Sequence, residues 1–388
     1  DATFAVAVKR AKTTIMKVAL VLTLEELEAA DETRRKRWWW RNALRKHAPV
    51  LSGGDGTHRF PKLYGRHSNY GRLHTPKLSS KEFYEHFRFA REDIPRLVLA
   101  LRMPRQLRTM SGCVMDGEEA LLLFLRRMAY PNRLVDLEHF FQRASGYISE
   151  MAEEVRLHLD KIARRLVLRF DHVRIVPMIP VFAAAFKAKG FPLPHCWALL
   201  DGTFRNFCRP AKDGYAGTAQ RIQWSGHKRH HGNNHQGLET PDGIAVEMHG
   251  PFEGRTHDQR MLKESGLLER IVQYCKLWAF CGGVYLLILF YVFGDRGYAH
   301  GNPALQVPYK GAALTARQTG YNLSMSKMRQ PVEWSFGKVG RYFAFVDFYK
   351  NQKLYLQPVA SYWQIACMLK NCHSCLYGNQ TSMYFLVP

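Results

Sequence analysis

The chain is short of acidic residues. Its 388 residues carry 33 Asp and Glu against 56 Lys and Arg, a formal charge of +23. An excess that large repels itself and is normally tolerated where a polyanion neutralises it. Nucleic acid is the leading polyanion, with an anionic membrane surface behind it. Cysteine is also sparse, and the eight present have no spacing that suggests a disulfide framework. The tail Cys372-His373-Ser374-Cys375, with Cys367 nearby, lacks a second ligand pair at zinc spacing and reads as buried free thiols. Charge is missing altogether from Leu277 to Phe293. That run is short for a membrane span, contains Gly282 and Gly283, and leads straight into Gly294-Asp295, so it reads as a buried strand. No internal repeat is visible.

What is present is material for a core. Apolar residues make up 46% of the chain and aromatics 13%, which excludes a disordered polyelectrolyte. Residues 1–78 read as a basic N-terminal extension, with a short helical pattern from Leu22 to Ala30 and then Arg34-Arg35-Lys36-Arg37-Trp38-Trp39-Trp40-Arg41. Basic side chains beside aromatic planes suit a phosphate backbone or a nuclear import signal, and equally a solvated basic face. Ser52 to Gly56 is a flexible break.

Residues 79–190 read as helical. Helices are expected over Gly117–Tyr130, Leu134–Gln142 and Tyr147–Leu166, the last after the turn Ala144-Ser145-Gly146, with Ser145 placed to cap it. That is the layout of a helix-turn-helix, although any three-helix bundle shares it. From residue 191 to 388 the period changes. Cys196 to Leu200 reads as a strand ending on Asp201, Arg221 to Lys228 as a second and Ile244 to Met248 as a third. An amphipathic helix opens at His257-Asp258, the apolar run leads into Asp295, and a helix from Thr315 to Gly340 carries Glu333. A final apolar helix covers Leu356 to Leu369. The plan is α/β: a mixed sheet flanked by helices, preceded by an all-α, helix-turn-helix-like region.

Asp201 and Asp295 each follow a strongly apolar strand, and strand ends in α/β sheets border ligand crevices. Glu333 lies among Val332, Trp334 and Phe336, so its helix is pressed against the fold. Three carboxylates drawn together would repel and raise one another's pKa unless cations sat between them. Mg²⁺ or Mn²⁺ would resolve the repulsion and could promote phosphodiester hydrolysis. On pattern alone each aspartate also reads as a turn-capping residue.

Five ordered blocks sharpen this. They are Leu200-Asp201-Gly202-Thr203, Gly226-His227-Lys228-Arg229, Gly250 to Asp258, Gly294-Asp295-Arg296-Gly297-Tyr298 and Arg329 to Gly337. Together they resemble the nuclease domain of the PIF/Harbinger transposases, a DDE family related to ribonuclease H, over about Cys196 to Phe385. Leu125 to Arg133, with Asp136-Leu137, is similar to the helix-turn-helix region that precedes that domain. The resemblance implies a ribonuclease H-like fold and a metal-dependent endonuclease that nicks element ends and joins 3′ hydroxyls to target DNA. Asp201, Asp295 and Glu333 would be its catalytic residues and its Mg or Mn ligands. Asp258 is a rival for the second position, and a helix-start carboxylate favoured by the helix dipole otherwise. Lys228, Arg229, Arg255 and Arg329 would meet DNA phosphates. A nuclear location is expected, with DNA, a separate Myb-like DNA-binding protein and further copies of the chain as partners, and no membrane. The apolar run before Asp295 exceeds what one strand needs, which points to an insertion or a retained non-coding segment that would misplace Asp295. In that case the chain would be a domesticated, catalytically silent DNA-binding or adaptor protein.

Overall fold

Ser79 opens the first helix with a capping box: its hydroxyl accepts from the Glu82 amide at 3.2 Å, and the Glu82 carboxylate accepts from the Ser79 amide at 2.8 Å. The computed structural model describes residues 78–210, 216–281, 284–354 and 356–387. The helix expected at Leu22–Ala30, the basic run from Arg34 and the break at Ser52 lie outside the described residues.

The helical part holds α1 (Ser80–Phe87), α2 (Ile94–Ala100), a ribbon of β1 (Gln106–Arg108) and β2 (Val114–Asp116), then α3 (Gly117–Ala129), α4 (Leu134–Phe141) and α5 (Ser145–Val167). Ser145 does not cap α5. Ala144 occupies the cap position, and the Ser145 amide donates to the Glu138 carboxylate of α4 at 2.6 Å, as does its hydroxyl. A long acidic side chain from the preceding helix thus does what the serine was expected to do. α5 buries Ile148, Met151, Ala152, Val155, Leu159 and Ala163 at helical spacing. Two short helices follow, α6 (His172–Ile175) and α7 (Ile179–Ala188).

The sheet begins with β3 (Cys196–Asn206), whose first six residues are buried, as a central strand requires. The stretch Arg221–Lys228 is not a strand. Residues Ala216–Gln223 form α8, and only β4 (Trp224–Ser225) pairs, against the start of β5 (His230–Glu239). β5 is the long second strand, and β6 (Ala245–Glu253) is the third. β5 runs antiparallel to both β3 and β6.

After α9 (Asp258–Ser265) and α10 (Leu267–Tyr274), the uncharged run divides in two. β7 (Lys276–Cys281) and β8 (Val284–Leu289) form a separate antiparallel hairpin, with Trp278 70% exposed, so this part is not a buried strand. Only β9 (Tyr291–Gly294) joins the main sheet, parallel to β3, and β10 (Leu305–Gln306) extends it in parallel. Residues of β7 and β8 thus form a hairpin outside the main sheet, while β9 pairs with β3 up to Leu200–Gly294, with a register shift between Cys196 and Ala198. α11 (Ala316–Tyr342), α12 (Val359–Tyr377) and α13 (Gln380–Phe385) complete the chain. The result is a mixed sheet flanked by helices.

α12 ties the helical part to the sheet. It packs on α5, where buried Arg156 donates to Ser361 at 2.8 Å. Lys370 reaches Glu239 of β5 at 3.5 Å and Ser335 of α11 at 2.7 Å, with both charged side chains almost fully buried. Cys367, Cys372 and Cys375 are free thiols on α12, but only Cys367 is buried, Cys372 being half-buried and Cys375 exposed, and His373 stacks on Tyr342. Among the described residues, no helix is long and apolar enough to cross a membrane.

Candidate active site

The site starts from strand register. Leu200 pairs with Gly294 across the parallel β3–β9 ladder, so Asp201 and Asp295 are the next residues on neighbouring strands. On the other side of β3, Asp201 pairs with Gly237 of β5. A side chain at Gly237 would meet the Phe336 ring at 2.6 Å, so this glycine lets α11 sit down on the sheet beside Asp201. Val332, Ser335, Phe336 and Val339 are buried in that contact, leaving Arg329 and Glu333 one turn apart on the adjoining face.

The guanidinium of Arg329 gathers the carboxylates. Its Nη2 lies 3.1 Å from Glu333 Oε1 and 3.7 Å from Asp201 Oδ2, and its Nη1 lies 3.6 Å from Asp295 Oδ2. Two oxygens so close to one nitrogen cannot be further apart than those two distances laid end to end. Residues from β3, from the end of β9 and from α11 therefore meet at one point.

Asp258, the first residue of α9, stands beside them. A side chain placed on Gly202 would touch Asp258 Oδ1 at 2.7 Å. One on Gly297 would touch Asp258 Oδ2 at 2.6 Å and Asp295 Oδ1 at 2.9 Å. Both glycines thus make room for acidic side chains, a role that sequence reasoning did not assign although each lies one or two residues from an aspartate. The Gly202 amide donates to Asp201 at 3.0 Å, and the Gly297 amide to Asp295 at 2.8 Å.

Electrostatics agree with this geometry. Burial pushes the Asp201 carboxyl up to about 6; Arg329 opposes the shift, while Asp295 and Asp258 add to it. Asp258 is also raised, by burial first and by Asp295 second. The fully buried Tyr298 hydroxyl, which accepts from Gln236 at 3.0 Å, is raised by burial and by the same three aspartates.

An open polar pocket of about 370 Å³ adjoins Asp201, lined by Gly202, Thr203, Phe204, Asn206, Lys228 and His230. Of the basic residues expected to meet DNA, Lys228 lines this pocket and Arg329 lies among the carboxylates. Arg229 stands exposed on a left-handed turn (φ 54°), and Arg255 pairs with Glu253 at 3.2 Å. Asn206 and His230 were not anticipated.

Residues 200–371 match the family model of the DDE superfamily endonuclease. The matched segment covers somewhat under half of the chain and includes Asp201, Asp258, Asp295, Arg329 and Glu333. The helices before β3 lie outside it. No curated protein and no solved structure matches the chain. Among the described residues, no group of three or more His, Cys, Asp or Glu side chains stands close enough together to hold a metal ion as it is. In the matched segment, the Arg329 guanidinium lies between the carboxylates.

Proposed function

We propose that the chain is a metal-dependent DNA endonuclease of the transposase kind, similar to the PIF/Harbinger group. One observation carries the reading: Asp201, Asp295 and Glu333 surround a single cationic group within a segment that matches the DDE endonucleases. The donor set is all carboxylate oxygen, which a hard dication such as Mg²⁺ or Mn²⁺ prefers, and the space between the donors already accommodates a cation. The donor chemistry suits such an ion, which the carboxylates would hold by closing on it in place of the Arg329 guanidinium. Bound there, it would activate water and stabilise the leaving oxygen of a phosphodiester.

The chain's own residues do the remaining work. Asp201, Asp295 and Glu333 would hold the ion, with Asp258, across Gly297 from Asp295, as the rival second ligand. Lys228 and His230 draw the phosphate backbone into the pocket beside Asp201, and the charge of +23 favours DNA over other partners. The pairing of Leu200 with Gly294, which brings Asp295 beside Asp201, supports an active enzyme over a silent DNA-binding descendant. Joining of 3′ hydroxyls to target DNA, a nuclear location, the helix-turn-helix role of α3 to α5, a ribonuclease H-like fold, self-association and a Myb-like partner belong to the same proposal.

Nicking of supercoiled plasmid in Mg²⁺ or Mn²⁺ tests it. The wild type should nick the plasmid, EDTA should stop it, and Asp201→Asn should slow it about a hundredfold or more. Salt-sensitive DNA binding with no cleavage in either metal would favour the silent reading.

A further inference from the structure

Arg329 is held in an unusual way. It touches three carboxylates, yet only Glu333, at 3.1 Å, is within hydrogen-bond distance. Asp201 and Asp295, at 3.7 and 3.6 Å, attract it by charge alone. Its Nε is buried without a hydrogen-bond partner, and its side chain is 33% exposed at the rim of the site. A guanidinium with five donors and a fork matched to oxyanions is here neither fully bonded nor fully solvated. It neutralises the acidic cluster while remaining free to leave.

We propose that Arg329 is a displaceable internal cation that occupies the carboxylate site until a divalent ion enters, then turns its fork outward to the DNA phosphate. The idea rests on the metal-dependent reading above. A dication and a guanidinium cannot share the three carboxylates, because their charges repel and the oxygens that would ligate the ion now face the arginine. Entry of the ion therefore expels Arg329. The i, i+4 spacing on α11 keeps the released side chain next to Glu333, at the mouth where a phosphodiester would arrive. Metal binding and substrate grip are thereby coupled: the protein holds metal weakly when alone and presents an additional phosphate ligand once metal is in place.

The test uses the full chain freed of metal with EDTA and titrated with Mn²⁺, free ion being followed by electron paramagnetic resonance. The proteins are wild type, Arg329→Gln, Arg329→Lys and Asp201→Asn. Removing the competing cation should tighten Mn²⁺ binding about tenfold in Arg329→Gln, with Arg329→Lys between it and wild type. Mn²⁺ should also raise the melting temperature of Arg329→Gln more than that of wild type, since its carboxylates are uncompensated without metal. In Mn²⁺, the same variant should bind duplex DNA more weakly, with a salt dependence shallower by about one ion. If Arg329→Gln and Arg329→Lys bind Mn²⁺ no more tightly than wild type while Asp201→Asn binds it less tightly, the displacement idea fails and the metal site stands. If Asp201→Asn binds Mn²⁺ as well as wild type does, the metal reading fails and this inference falls with it.

Discussion

Asp201 and Asp295 each follow one member of a register pair, Leu200 and Gly294, so two carboxylates leave adjacent parallel strands side by side. Strands so paired lie about 4.8 Å apart, too close for two bare charges in a largely buried place. Arg329 relieves that repulsion in the protein as it stands.

The pH dependence follows from Asp201. Its folded pKa, about 6, lies above the ordinary 3.8, so the protonated form is the better tolerated one. The stability that this proton confers is complete below about pH 4 and is lost as pH rises through about 6. A dication competes with the same proton, so metal affinity should rise across that interval and level off above it. Melting temperatures in EDTA and Mn²⁺ affinities from about pH 5 to about pH 7 measure the two trends. Asp201→Asn should flatten both.

Gly202 and Gly297 should tolerate alanine in the fold but not in the site. Each added methyl meets the movable end of a carboxylate side chain, at 2.7 Å for Gly202 and 2.6 and 2.9 Å for Gly297. Those side chains can shift, so unfolding should change by no more than about 1 kcal/mol, while plasmid nicking should fall about tenfold or more. Urea denaturation and the nicking rate separate the two effects. Equal loss of both would count against a role in shaping the site.

The buried Lys370–Glu239 pair, with Ser335 between them, should behave as a structural clamp. Lys370→Met leaves the Glu239 carboxylate buried and uncompensated, and should cost about 3–5 kcal/mol of unfolding free energy. Adding Glu239→Gln should recover a large part of that loss, because the second change removes the stranded charge. Denaturant titration of the single and double variants reads the difference.

Trp278 is 70% exposed on the β7–β8 hairpin, outside the main sheet. Trp278→Ser should therefore change stability by less than about 0.5 kcal/mol. A loss of several kcal/mol would mean that the hairpin belongs to the core.

Residue type made some of this architecture legible and hid the rest. The apolar strand Cys196–Leu200, the helix carrying Glu333 and the long apolar face of α5 all announce themselves by period, and the structure has them within a few residues. β5 did not, because a central strand that buries Asn233, His235, Gln236 and Glu239 lacks the apolar alternation that marks strands. Its position was given instead to the basic stretch before it. The run from Leu277 to Phe293 misled in the opposite direction: apolar residues without charge signalled one buried strand, whereas Lys276–Cys281 and Val284–Leu289 pair with each other and only Tyr291–Gly294 enters the main sheet. Asp201, Asp295 and Glu333, singled out by their strand-end and helix positions, each lie within 4 Å of the Arg329 guanidinium. That Arg329 lies among them depends on how α11 settles over Gly237, which no local pattern encodes.

The central claim is that these acidic side chains share a divalent ion, and crystals of the full chain grown with Mn²⁺ test it most directly. Anomalous scattering should place manganese about 2.1 Å from oxygens of Asp201 and Asp295, with Arg329 swung away. A map with no manganese at these carboxylates, and Arg329 still seated among them at saturating Mn²⁺, would contradict the account.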